Sequence, residues 1–275
     1  MEIGIVTNGF GQLTGEELAA RFADDGFKQI QLFFSQKDFP AWRYNGRPQA
    51  EVWSRAKADQ TIGVYRRRGL EVLSLGVYTN MMEPDAAELD ANLRHFSEMI
   101  EIAAANGVPM VATECGFIPG RRGLVRETFE ADWARLVNSF KRVCEAAERH
   151  GVVVALEPCF HDLVNSAKRT RSVIEQVGSN AFKAQIDPGN LVTVNTEAEM
   201  FDHLADVTCA LHGKDRKVNA AMGCKVGDGD VDWDAFFRQA LARTPGVPLF
   251  MEYVNIDTYL GARDFLRERL TAAAQ

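Results

Sequence analysis

The chain has 275 residues, of which 46% are apolar and 25% charged, an ordinary balance for a soluble globular protein that excludes disorder as its main state. Its net charge of −7 repels a phosphate backbone, so a nucleic-acid partner is not expected. Five cysteines, at positions 115, 144, 159, 209 and 224, show no C-x-x-C spacing, so neither a disulfide framework nor a thiolate zinc site is expected and a reducing, cytoplasmic setting fits best.

The first predicted strand, near 2–7, starts almost at the N-terminus, with no basic region followed by an apolar stretch, so no leader is expected. A helical pattern near 15–24 follows, then a strand near 28–34 and a helix near 51–68. The alternation continues with strand 70–77, helix 85–105, strand 108–113 and helix 127–149. It closes with strand 152–157, helix 167–177, strand 182–187, helix 196–204, strand 207–212, helix 232–242, strand 247–252 and helix 258–272. Each strand has the Val/Ile/Leu/Phe bias of one buried on both faces. Gly69, Gly107 and Gly151 stand just after helices, where a left-handed residue caps the C-terminus. No run of about 18 apolar residues is present, so no membrane span is expected.

Eight strand–helix units without a linker or readable repeat predict an α/β fold, a (β/α)8 TIM barrel forming one domain over 1–275, and the length is close to the roughly 250 residues such barrels need. The long connections 35–50, 114–126, 158–166 and 213–231 all follow strands, which places them on the face where barrel active sites form. The first carries Phe39, Trp42 and Tyr44 with Gly46 and Pro48. These rings either wall a small ligand, which makes Trp42 a substrate-binding candidate, or pack the loop down.

The last residues of the fifth to eighth strands are Glu157, Asp187, His212 and Glu252. A single acidic residue there would be a helix cap or a surface charge. Four metal-ligand types on consecutive strands converge on one rim instead, and three crowded carboxylates need a cation. The oxygen-rich set suits one divalent metal ion, Mn²⁺ or Mg²⁺ first, with Co²⁺, Fe²⁺ or Zn²⁺ as competitors.

The segments Leu156-Glu157-Pro158, Asp187-Pro188-Gly189-Asn190, His212-Gly213-Lys214-Asp215, Gly227-Asp228-Gly229-Asp230-Val231-Asp232-Trp233 and the closing Glu252 carry a resemblance over nearly the whole chain. The chain resembles the sugar phosphate isomerase/epimerase family, the xylose isomerase-like barrels that include ketose 3-epimerases and inosose dehydratases. The resemblance implies that Glu157, Asp187, His212 and Glu252 bind the metal, while Glu157 and Glu252 also move protons. Two positions depart from the family. Asn190 stands where a histidine often holds substrate oxygens, and Gln31 where many members have a glutamate. Both exchange a titratable group for an amide, which points to a substrate with a different pattern of hydroxyls.

Lys214 is expected to face the same rim and hold a substrate oxygen, with Asp215 fixing it; a surface ion pair is the plainer reading. Arg216, Lys217 and Lys225 make that loop basic. The stretch 116–123 is glycine-rich and basic but lacks the Lys-Ser/Thr ending of a phosphate loop, and reads as a flexible rim loop. Glu114, Asn190 and His161 are further substrate-binding candidates, whereas Cys115 and Cys159 read as small apolar fillers. His95, His150 and His203 sit on helical patterns and are assigned no chemistry.

Chemistry beside a carbonyl needs a base for a weakly acidic C–H and positive charge for the enediolate that follows. Glu157 and Glu252 on opposite faces would take and return the proton, giving epimerisation, or isomerisation when the proton goes to the neighbouring carbon. The expected activity is therefore a divalent-metal-dependent isomerase or epimerase of a sugar, keto-sugar or cyclitol-type substrate. The alternative is a lyase or dehydratase of a polyol or keto-glycoside using the same site. An abasic-site endonuclease would need more histidines than the five present. A non-catalytic sugar-binding protein would not need all four ligands. The expected partner is a small carbohydrate, with neither nucleic acid nor membrane, and a homo-oligomer stays open.

Overall fold

Strands buried on both faces can pair only with other strands and must be covered by helices, and the computed structural model, which describes all 275 residues, resolves that demand by closing the sheet on itself. The barrel strands are β1 (Ile3–Val6), β2 (Gln29–Leu32), β5 (Glu71–Gly76), β6 (Met110–Thr113), β7 (Val153–Leu156), β8 (Phe182–Ile186), β9 (Thr208–Gly213) and β10 (Leu249–Met251). Each pairs in parallel with its chain neighbour, and β1 closes the ring on β10 through Ile3↔Leu249 and Ile5↔Met251. A two-residue hairpin, β3 (Ser35–Gln36) with β4 (Phe39–Pro40), lies in the loop after β2.

Eight helices cover the outside: α1 (Gly15–Asp24), α2 (Arg55–Arg67), α3 (Ala86–Ala105), α4 (Phe129–His150), α5 (Ala167–Val177), α7 (Glu197–Leu204), α8 (Trp233–Arg243) and α9 (Tyr259–Ala273). Their starts are fixed chemically. Thr14 with Glu17 and Thr196 with Glu199 form reciprocal capping boxes, and Asp85, Ser54, Ser166 and Asp232 each accept a backbone N–H three residues on. The expected glycine stops are present too, with φ of +75° at Gly69, +59° at Gly107 and +66° at Gly151. Among the α-helices one was not expected: α6 (Pro188–Leu191), a single turn capped by Asp187. Four residues are too few to show a helical period in the sequence.

Alternation along the strands divides the apolar side chains between two layers. Leu249 and Met251 join the large cluster under the helices, whereas Phe250 joins Val6, Phe33, Tyr78, Met110 and Ala210 in a second, smaller cluster. The register shifts once beside Gln31 and once beside Gln185, and the two amides meet there, Gln31 Nε2 donating to Gln185 Oε1 at 3.2 Å. No helix is long and apolar enough to cross a membrane.

Phe33 of the smaller cluster packs on Tyr78 and Trp42 with ring centroids 5.3 Å apart in each case, and it fits because Gly76 is opposite. A Cβ at Gly76 would lie 2.2 Å from the Phe33 ring. Gly76→Ala should therefore cost about 1–3 kcal/mol of overpacking, read as a lowered urea midpoint at unchanged slope. An unchanged midpoint would show that Phe33 gives way freely.

Candidate metal centre and pocket

The ends of four neighbouring strands deliver the cluster. Glu157 follows β7, Asp187 follows β8 and caps α6, His212 lies in β9, and Glu252 follows β10. One ligand atom from each lies within 4.8 Å of the other three, and all four residues are buried. His212 Nδ1 stands 3.5 Å from Glu157 Oε1, 3.5 Å from Glu252 Oε2 and 3.7 Å from Asp187 Oδ2. Neither His212 Nδ1 nor Glu252 Oε2 has a hydrogen-bond partner of acceptable geometry, although both are buried.

The orientation of His212 is set from behind. Its Nε2 lies 2.7 Å from Gln31 Oε1, and the Gln31 amide must present oxygen there because its nitrogen donates to Ser74 Oγ at 3.1 Å and to Gln185 Oε1. Nε2 therefore carries a proton and Nδ1 faces the carboxylates, the arrangement in which an outer hydrogen bond orients a ligand histidine. Burial alone would lower the His212 pKa, but the charges of Glu157 and Glu252, with Asp187 close by, raise it to about 10. A proton so held would be displaced by a metal ion on binding.

Lys214 Nζ completes the cluster. It contacts Asp187 Oδ2, Glu252 Oε2 at 3.1 Å and Glu157 Oε1 at 3.3 Å. Burial disfavours its charge, yet these carboxylates hold its pKa well above the ordinary lysine value. Asp187 is the counterpart: burial opposes ionisation, but Lys214 and the nearby His212 ring hold its pKa well below the usual carboxylate range. Burial raises the pKa of Glu157 against the pull of His212 and Lys214. Three carboxylates gathered around one ammonium group, with an imidazole nitrogen that makes no well-directed hydrogen bond, form a donor set that fits a divalent ion.

Above the cluster opens a cavity of about 460 Å³ whose lining includes Trp42, Tyr44, Glu114, Arg122, His161 and Tyr253. Tyr44 donates to Glu114 Oε2 at 2.7 Å and accepts from Arg122 Nη2 at 2.9 Å. Arg122 Nε in turn donates to Asp162 Oδ1 at 2.8 Å, and its guanidinium lies 4.4 Å from the Phe117 ring centre. The rim loop 116–123 is thus tied to the pocket wall by an ion pair and an aromatic contact. Burial, aided by the charges of Glu157 and Asp162, pushes the Glu114 carboxyl up to about 8. His161 stands at the mouth, its Nε2 2.7 Å from Ala221 O.

Of the residues anticipated from sequence, Lys214 and Asn190 join the buried cluster, while Trp42, Glu114 and His161 line the cavity. Asp215 does not fix Lys214, contrary to expectation. Its carboxylate accepts instead from the backbone N–H groups of Arg216, Gly227 and Val231 at 2.8, 3.0 and 3.1 Å and from Trp233 Nε1 at 2.9 Å, pinning the loop after β9. The Gly227-to-Trp233 motif is the other half of that contact, since a Cβ at Gly229 would lie 2.0 Å from Asp215 Oδ1. Tyr78, which hydrogen-bonds Glu157 Oε2, and Gln185, which donates to the same oxygen at 3.3 Å, were not anticipated. Tyr78 follows the third barrel strand, and extending the reading of strand ends to that strand would have found it.

The sequence profile of the xylose isomerase-like TIM barrel family matches residues 19–269. Among solved structures, D-psicose 3-epimerase with D-tagatose from Clostridium cellulolyticum H10 is similar at TM-score 0.73 and 16% identity, over 98% of this chain and 99% of that one. The 3-keto-D-glucoside 4-epimerase YcjR from E. coli reaches 0.76 and 16% over 98% and 99%. The IolI protein with a bound zinc atom reaches 0.77 and 13% over 99% and 98%. At such identities the likeness is one of fold. No curated protein matches the chain in sequence.

Glu114 gives a pH test of the pocket. Because its folded pKa lies near 8, above that of a free glutamate, the stability it contributes is present below the unfolded value and is lost as pH rises through about 8. Glu114→Gln should flatten that part of the profile, so that its stability relative to wild type increases between pH about 5 and 9 in denaturant titrations. A parallel decline in both proteins would place Glu114 in contact with solvent.

Proposed function

The chain belongs to the xylose isomerase-like TIM barrel family, and from that premise we propose that it is a divalent-metal-dependent isomerase or epimerase of a sugar, keto-sugar or cyclitol-type substrate. The observation that carries the reading is the unpaired His212 Nδ1 facing Glu157, Asp187 and Glu252 inside a buried cluster that opens into a substrate-sized cavity. These four residues would hold the ion, with Mn²⁺ the best match to three carboxylates and one imidazole. Once bound, the ion would supply the positive charge that stabilises an enediolate formed beside a carbonyl.

The protein's own residues divide the proton work. Glu252 Oε2 faces Lys214 Nζ at 3.1 Å and is the proton acceptor on one side of the substrate. Glu157 is held by Tyr78, by Asn190 Nδ2 at 2.9 Å and by Gln185, which keeps its carboxyl in one orientation, and burial favours its protonated form. One glutamate takes the proton from one face of the substrate carbon and the other returns it to the opposite face, which is epimerisation. Return to the neighbouring carbon is aldose–ketose isomerisation.

Lys214, inside the cluster and on the cavity lining, suits a substrate oxygen, and Glu114 and Trp42, which line the same cavity, suit the hydroxyls and the C–H face of a sugar. His161 would meet the part of the substrate nearest the mouth. Asn190 lines the same cavity, but its amide nitrogen is already engaged by two carboxylates.

Glu157→Gln and Glu252→Gln, each loaded with Mn²⁺, should lower net turnover by roughly 10²–10⁴-fold, since an amide can coordinate through oxygen but cannot accept the proton. Each variant should still exchange with D₂O the substrate proton that faces its remaining glutamate, so the two label opposite epimers. Metal content is measured alongside. Substantial turnover in both metal-loaded variants would assign the proton transfer to another residue.

A further inference from the structure

Arg216 is a buried cation, 3% exposed, whose guanidinium hydrogen-bonds only to neutral oxygens. Nε donates to Gly189 O at 2.7 Å, Nη1 to Ala220 O at 2.8 Å and Nη2 to Asn190 Oδ1 at 3.2 Å, while the guanidinium carbon lies 4.6 Å from the centre of the Phe160 ring. A cation buried without a carboxylate is costly unless its donors are used well.

What Arg216 holds is an amide with two ends. Because Asn190 Oδ1 accepts from Arg216, its nitrogen must face the other way, and there Nδ2 donates to Glu157 Oε1 at 2.9 Å and to Asp187 Oδ2 at 3.1 Å. Turned over, Asn190 would set its oxygen against two carboxylate oxygens at the same distances, a repulsive contact. The backbone N–H of Asn190 donates as well, to Asp187 Oδ1 at 3.1 Å. The geometry depends on a close approach, since a Cβ at Gly189 would lie 2.9 Å from Lys214 O and 3.0 Å from Asp215 O. Asp215 then fixes the start of the loop that carries Arg216, through the bonds described above.

We propose that Arg216 is a positioning residue for the metal centre, acting through Asn190: it locks the amide so that Glu157 and Asp187 are held as a pair. This rests on the metal reading above. Where the family resemblance would place a histidine for substrate oxygens, this chain has an amide that serves two ligand carboxylates and is held in place by a guanidinium.

The test is a cycle read by Mn²⁺ binding to the metal-stripped protein, with free Mn²⁺ followed by its paramagnetic resonance signal, and it needs no substrate. Arg216→Met and Asn190→Leu should each weaken Mn²⁺ binding by about 10–100-fold, the usual effect of removing an outer hydrogen bond to a ligand. The double variant should bind no more weakly than Asn190→Leu alone, within a factor of about 2, because Arg216 acts only through Asn190. A purely structural role for Arg216 would instead give losses that multiply, or an unchanged dissociation constant in Arg216→Met, and either result overturns the proposal. If Arg216→Met does not fold, Arg216→Lys keeps the charge but not the three-way fork and should show a partial loss; wild-type binding in that variant also overturns it. A wild-type chain that binds no Mn²⁺ overturns the metal reading itself, whereas tight wild-type binding left untouched by all the variants overturns the relay alone.

Discussion

The mutual repulsion of Glu157, Asp187 and Glu252 is the constraint on which the rest of this site depends. Two like charges about 4 Å apart repel by about 4 kcal/mol even at an effective dielectric of about 20, and here three lie buried around one point. Barrel closure forces the meeting, because parallel strands end on one rim. What answers it is positive charge: Lys214 directly, His212 through a proton held to about pH 10, and, in the function proposed above, a divalent ion. Lys214 Nζ touches the same three carboxylates that an ion would use, so lysine and ion share one electrostatic task.

Around the charges lies a shell of neutral amides. Gln31 orients His212, Gln185 joins Gln31 to Glu157, and Asn190 spans Glu157 and Asp187. Amides do not titrate, so this shell holds Glu157, Asp187 and His212 in the same orientation over the pH range in which histidines or glutamates in its place would change charge. The two departures from the family pattern, Gln31 and Asn190, are both members of it. Their common effect is to turn the two positions toward Glu157, Asp187 and His212.

Much of this is legible in the sequence. Strand ends 157, 187, 212 and 252 could be read because buried parallel strands are continuous apolar runs, and a charged residue closing such a run stands out. Trp42, Glu114 and His161 could be placed near the pocket because the loops after strands gather on one face. Partners were harder. Asp215 looked like a counter-ion for Lys214, since neighbouring opposite charges suggest a pair, yet its four donors come from residues up to 18 positions away. Gln185 was hidden by its type, a glutamine inside a strand, and only the closed barrel shows that it and Tyr78 converge on Glu157. The short turn α6 carries no periodic signal, although Asp187-Pro188-Gly189-Asn190 fixes it through a cap, a proline at its first position and a glycine that admits close packing.

The central claim is that these four strand ends form one metal site, and anomalous diffraction from crystals soaked in Mn²⁺ tests it most directly. The account predicts a single strong peak coordinated by Glu157, Asp187, Glu252 and Nδ1 of His212, with Lys214 Nζ moved off the carboxylates toward the cavity. A peak elsewhere, or none while Lys214 stays bonded to Asp187, would contradict it.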